Sequence, residues 1–139
     1  MTRRTFARNA LALALAALAT ACAGRPETRA TGLLDTLRRH HEHLRWENYG
    51  AAATQVDAPF RAEWSQLTGQ IGRVSDYELG GIDMKDPPGD DAQVIVKFAG
   101  FRVPDMTVRT HVLRERWRRD GDHWRLTEMA PAQPNLPGL

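Results

Sequence analysis

The sequence predicts an α+β domain, with N-terminal helices packed on a curved four-stranded antiparallel sheet. Three observations predict it. Apolar residues recur at spacings of three and four between Leu33 and Leu67, the period switches to two from Val74 onward, and Asp120-Gly121 forms a hairpin signal between two alternating segments. Helices first and strands afterwards, with one dry face on the strands, is the pattern of helices covering one side of an antiparallel sheet.

The domain is expected over residues 32–129, behind a leader. Arg3, Arg4 and Arg8 precede the small and apolar stretch Ala10 to Ala21, which ends in Leu18-Ala19-Thr20-Ala21-Cys22. Residues 1–21 therefore read as a signal peptide. A membrane-spanning helix needs roughly 20 apolar residues, and this run is shorter and followed at once by Arg25, Pro26, Glu27 and Arg29. Ala19-Thr20-Ala21-Cys22 resembles the lipobox of bacterial lipoproteins, with Ala19 where leucine is usual. That resemblance implies acylation of Cys22, the chain's single cysteine, and cleavage before it. Two or three acyl chains, at about 0.8 kcal/mol per buried CH₂, make a firm anchor. An ordinary secretory signal cleaved near Ala21 or Ala23 is the alternative. Thr2-Arg3-Arg4-Thr5-Phe6 also resembles the twin-arginine export motif, and the general secretory route stays open beside it. Ala23 in place of the aspartate that retains lipoproteins in the inner membrane implies the outer membrane, facing the periplasm.

Residues 22–31 are polar, carry Pro26 and lack periodicity, as expected of a tether. Thr31 is the expected N-cap of a first helix, with Leu33, Leu37, His40 or His41, and Leu44 on its apolar stripe, running to about Asn48. Tyr49-Gly50 closes it, and Ala51 to Val56 can form a second short helical piece. Pro59 suits the first turn of a third helix whose stripe is Phe60, Trp64 and Leu67, ended by Gly69 and Gly72.

In the first strand Tyr77 and Leu79 alternate with acids, and a bulge at Gly80-Gly81 would return Ile82 and Met84 to the same face. Asp86 to Asp91 is a turn. Val94, Val96 and Phe98 alternate in the second strand; Val103-Pro104-Asp105 leads into a third from about Met106 to Arg118, and the fourth runs from His123 to about Met129. A two-residue loop Asp120-Gly121 would set Trp117 opposite Trp124, with Leu113 and Leu126 on their side. Arg114, Arg116, Arg118, His123 and Arg125 would then share the other face, where Asp76, Glu78 and Asp83 could pair with them. Residues 130–139, with three prolines, read as a flexible tail.

The long first helix ending in Trp46-Glu47-Asn48-Tyr49, the short helix, and strands carrying Val74-Ser75-Asp76-Tyr77 and Trp117-Arg118-Arg119-Asp120-Gly121-Asp122-His123-Trp124-Arg125-Leu126 resemble the NTF2-like superfamily. The resemblance implies a cone between helix and sheet whose mouth holds a small ligand or forms a dimer surface. Enzymes of that superfamily, such as ketosteroid isomerases, limonene-type epoxide hydrolases and polyketide cyclases, place a carboxylate with a tyrosine, arginine or histidine in the cone.

Composition narrows the function further. The whole chain carries a formal charge of +2, but without the three leader arginines sixteen Lys and Arg face seventeen Asp and Glu. A nucleic-acid partner loses the basic footprint it needs. With one cysteine no disulfide can form within the chain, so apolar packing must hold it. His40 and His43 lie three apart on one helix face, a spacing metal ligands use, but two ligands are too few and no metal or other cofactor is expected. The candidate pocket residues are His40, His41, Tyr49 and Tyr77; none matches a catalytic signature. The expected function is that of a noncatalytic envelope lipoprotein that binds a protein partner or a small apolar ligand. The alternative is a small isomerase-like or hydrolase-like enzyme, which would need a buried carboxylate within reach of Tyr49, Tyr77 or a core histidine in an open pocket.

Overall fold

The computed structural model describes residues 26–85 and 89–132, with side chains described from residue 32 onward. The leader, Cys22, most of the tether and residues 133–139 lie outside the described residues. What is described is α+β: α1 (Pro26–Arg45), α2 (Tyr49–Ala53), a 3₁₀ turn (Ala58–Phe60) and α3 (Arg61–Ile71), then β1 (Arg73–Lys85), β2 (Asp91–Phe101), β3 (Arg109–Asp120) and β4 (His123–Pro131). The strands form one antiparallel meander in the order β1-β2-β3-β4. No described helix is long and apolar enough to cross a membrane.

The first helix starts earlier than Thr31 predicts, at Pro26. Proline suits the first helical position, where its missing N–H leaves no hydrogen bond unmade. Residues 26–31 of the expected tether are therefore helical. The helix also ends before Asn48. Glu47 takes a left-handed φ of 57°, its N–H donates to the Leu44 carbonyl (3.2 Å), and the Asn48 N–H donates to the His43 carbonyl (2.8 Å). That pair of bonds is a Schellman cap, which satisfies the last carbonyls and redirects the chain. The apolar stripe is wider than one residue per turn: Leu33, Leu37, His40, His41 and Leu44 are all buried. Both histidines face the core, not one of them.

The second helical piece begins at Tyr49, two residues before the expected start. α3 follows Pro59 as expected, with Phe60 and Trp64 buried and Leu67 half-buried. Gly72 ends it with φ 81°, and a Cβ there would collide with the Phe101 carbonyl oxygen.

Bulges keep the apolar residues of β1 and β4 on one face. Leu79 pairs with Val96 and Ile82 with Val94, so Gly80 and Gly81 together oppose Ile95, as the glycine pair predicts. A second bulge, at Ser75, allows Val74 and Tyr77 to point inward three residues apart. A third, at Thr127, does the same for Leu126 and Met129. The third strand starts at Arg109, later than Met106, and the fourth extends through Pro131, so the tail expected from residue 130 begins inside the sheet.

The β3–β4 loop is Gly121-Asp122, not Asp120-Gly121: Asp120 pairs with His123, and Gly121 takes φ 60° in the first loop position. Positive φ at that position is the demand of a II′ turn, which glycine meets without strain. Trp117 consequently pairs with Leu126, and Trp124 stands opposite Arg119. Leu113, Trp117, Trp124 and Leu126 still share the buried side. On the other face the arginines find different acids from those expected. Arg116 forks onto Asp91 at 3.0 and 2.6 Å and Arg125 reaches Asp120 at 4.0 Å, while Arg119, on the side of Trp117 and Trp124, reaches Asp122 at 3.8 Å. Asp76, Glu78 and Asp83 belong to β1, and β2 separates them from β3.

Candidate functional site

The polar groups of the interior gather where α1 crosses β3. His41 lies one turn after Leu37, and its Nδ1 is 2.6 Å from the Leu37 carbonyl oxygen. Its Nε2 is 3.0 Å from Glu115 Oε1, and Glu115 Oε2 accepts the Trp117 indole N–H at 2.9 Å. His41, Glu115 and Trp117 are all completely buried. A carbonyl can only accept, so Nδ1 carries a hydrogen. One further proton is shared across the Nε2–Oε1 contact. Burial opposes charge on both groups, yet each outweighs that penalty for the other: His41 is held above the usual imidazole range and Glu115 below the usual carboxylate range. The pair is an imidazolium–carboxylate ion pair whose remaining polar atoms are bonded.

Aromatic rings enclose this pair. Tyr77 stacks on His41 at 5.3 Å between centroids, Phe98 lies 5.5 Å from it, and His40 meets it edge-on at 5.2 Å. Tyr77 is fixed from outside by its hydroxyl, which donates to Glu42 Oε1 at 3.0 Å. That bond, after burial, pushes the phenol up from its usual range. His40 packs edge-on against Trp117 (5.2 Å) and beside Trp64 (5.9 Å). Neither of its ring nitrogens has a hydrogen-bond partner of good geometry, and the same holds for Gln55 Oε1 and Trp64 Nε1 nearby. Burial, reinforced by the charge of His41, drives His40 down to about 3, so it is neutral at physiological pH; the raising influence of Glu115, Gln55 and Ala52 is smaller.

Of the four pocket residues expected from sequence, His40, His41 and Tyr77 come together. Tyr49 stands apart, in a hollow of about 490 Å³ lined by Trp64, Thr68, Arg73, Phe101 and Val103. His43, expected to share a face with His40, instead lines a polar hollow of about 630 Å³ with Asp35, Arg39, Gln55, His123 and Trp124. Among the described residues no group of three metal-ligating side chains converges.

Glu115 is the residue the sequence reading missed. Its signal was present: Leu113, Glu115 and Trp117 alternate, so period two places the carboxylate on the apolar side of β3. A lone carboxylate on a buried strand face requires a partner, and the histidines of the facing helix supply one. Chemically the dyad is an acid–base pair. Neither hollow described above is lined by His41 or Glu115, so a substrate does not meet it in this conformation.

The described fold is thus a layer of helices on an open four-stranded antiparallel sheet. No family model matches the chain, and no curated protein matches it. Among solved structures it is similar to the solution structure of RPA3114, a SEC-C motif containing protein from Rhodopseudomonas palustris, with 13% identity and a TM-score of 0.57 over 70% of this chain and 77% of that one. The intermembrane space region of the chloroplast protein ARC6 is more distant, with 17% identity and a TM-score of 0.43 over 78% of this chain and 96% of that one. At 13% identity the likeness to RPA3114 is one of fold.

Proposed function

We propose that this chain is a noncatalytic envelope lipoprotein, anchored through Cys22, whose NTF2-like domain binds a protein partner near the membrane surface. The observation that carries the noncatalytic reading is the filled interior. Leu37, His40, His41, Phe98, Glu115 and Trp117 are buried without residue where a cone ligand would lie. This filling favours a protein partner over a small apolar ligand held between helix and sheet. The anchor rests on the sequence of the leader, and a helix that starts at Pro26 would leave only Ala23, Gly24 and Arg25 between it and the acylated residue. The domain would then sit close to the bilayer, most simply on the periplasmic side of an outer membrane.

The test of the anchor is Cys22→Ser with labelled palmitate. The native chain should incorporate label and sediment with membranes, whereas the variant should do neither. Membrane retention of an unlabelled variant would sink the lipoprotein reading. The enzyme reading keeps one specific observation in its favour, since Glu115 is a buried carboxylate in reach of a core histidine. It needs an opening to the dyad, and rapid solvent exchange of the His41 ring proton at neutral pH would reveal one.

A further inference from the structure

The end of the domain where β1 starts exposes an unusual amount of apolar surface. Trp46 is 69% exposed, and Val103, Met106 and Val108 of the β2–β3 loop are each more than half exposed. Tyr49 and Val103 both border a hollow of about 490 Å³, which Trp64, Phe101 and the small residues Ser65, Gly69 and Gly72 also line. Scattered apolar side chains are ordinary on a surface; exposed ones that border a concave site, as Tyr49 and Val103 do, are the feature of a docking site.

We infer that this hollow and the loop beside it dock a segment of a protein partner that offers an apolar side chain with a carboxylate next to it. Charge supplies the second half of that description. Two arginines line the hollow, and Arg73 is already answered by Glu47 at 2.9 Å. Arg102 donates to the Gln70 carbonyl at 2.5 Å and, among the described residues, forms no ion pair, so its remaining N–H groups are open to a carboxylate.

Direction selects a protein over the bilayer. Gly32, near the start of α1, faces Trp124 beside the β3–β4 turn, while Glu47, just past its end, reaches Arg73 at the start of β1. The hollow therefore sits at the opposite end of a 20-residue helix from Pro26, about 30 Å away along its axis. The inference takes only this orientation from the lipoprotein reading, and the hollow can be tested without it.

The test uses the full chain in neutral phosphatidylcholine nanodiscs, with 5-fluorotryptophan at all four Trp positions and the fluorine signals assigned by single Trp→Phe variants. The probes are N-acetyl-leucyl-aspartate amide and N-acetyl-leucyl-asparagine amide, whose amidated C-termini leave the side-chain carboxylate as their only difference. The aspartate probe should shift the Trp64 signal saturably and leave Trp117 in place, and the asparagine probe should bind about tenfold more weakly, as for the loss of one charge-assisted hydrogen bond. Arg102→Gln should erase that difference, and Val103→Ser, at an exposed position, should weaken both probes. Equal binding of the two probes, equal movement of Trp117, or no saturable shift would overturn the site, while palmitate labelling at Cys22 would still stand or fall separately. A photocrosslinker at Val103 in intact cells should then yield a protein adduct that Arg102→Gln diminishes. An adduct of twice the chain's own mass, or of lipid alone, would refute the choice of occupant.

Discussion

His40→Leu tests whether the interior is as closed as the geometry indicates. His40 is fully buried, neither nitrogen has a well-formed partner, and its affinity for a proton falls from the ordinary 6.5 to about 3. The unfolded chain therefore binds a proton below pH 6.5 that the folded chain refuses until about pH 3. Stability must fall as pH drops through that window, by about 1.4 kcal/mol per unit, or about 2 kcal/mol between pH 6.5 and 5. The other shifted acids do not interfere, because Glu115 and Asp91 are lowered from 4.5 and 3.8 and act only below those values. His41, raised from 6.5, contributes its full stabilisation throughout this window. Leucine removes the titrating group and two unbonded nitrogens while forfeiting ring contacts with Trp64 and Trp117. The absolute change at pH 7 is therefore small, and the pH dependence carries the information. Urea unfolding followed by tryptophan fluorescence should show the advantage of His40→Leu over the native chain growing by about 2 kcal/mol from pH 6.5 to 5, a midpoint difference of roughly 1–2 M. A difference that stays constant with pH would mean that water reaches His40, and the closed interior would be wrong.

Other variants probe the same packing. Glu115→Ala should cost about 3–5 kcal/mol, since it leaves His41 buried without its counter-charge. Glu115→Gln should cost only about 1–2 kcal/mol: with the hydrogen of a neutral His41 fixed on Nδ1, Nε2 can accept from the new amide while the amide oxygen takes the Trp117 N–H. The ion pair's pH dependence has two signs. The raised His41 stabilises fully below pH 6.5 and loses that contribution as pH rises through its folded value, and the lowered Glu115 stabilises above 4.5 and loses it as pH falls through its own. In Glu115→Gln the alkaline decline should disappear from the pH profile of unfolding; its persistence would count against the pair. Gly72→Ala combines a left-handed φ with a collision on the Phe101 carbonyl, and should cost more than about 2 kcal/mol in the same assay.

Local pattern made the helices, the order of the strands and the Gly80-Gly81 bulge legible, because each follows from periodicity or from glycine in the chain itself. The bulges at Ser75 and Thr127 were hidden: neither residue differs chemically from an ordinary strand position, and only the partner strand reveals the extra residue. The turn moved by one position because Asp-Gly and Gly-Asp are both competent two-residue loops, and the sequence contains both overlapped at Asp120-Gly121-Asp122. The histidine pair was seen but only one ring was placed inward, since a stripe of one residue per turn was assumed where α1 buries two. Glu115 stands among five nearby arginines and was assigned to neither face, although its own parity puts it inside.

That buried carboxylate decides what kind of protein the interior describes. A buried ion pair is a weak source of net stability, because desolvating both charges offsets most of their attraction. What it imposes is alignment: sliding α1 by one turn, about 5 Å, would leave His41 and Glu115 both charged and unpaired. His41, Glu115 and Trp117 thereby fix the helix against the sheet, and Tyr77 with Glu42 extends that hold to the rim. An acid–base pair spent on alignment and sealed by rings is poorly disposed to exchange protons with a substrate. Under the proposed binding role recognition would fall to the surface, and the surface is uneven, with the arginines of the outer sheet largely matched by acids and most exposed apolar residues at the end away from Pro26. An anchor at Cys22 and a docking site at the far end would leave the rigid interior to hold the two apart.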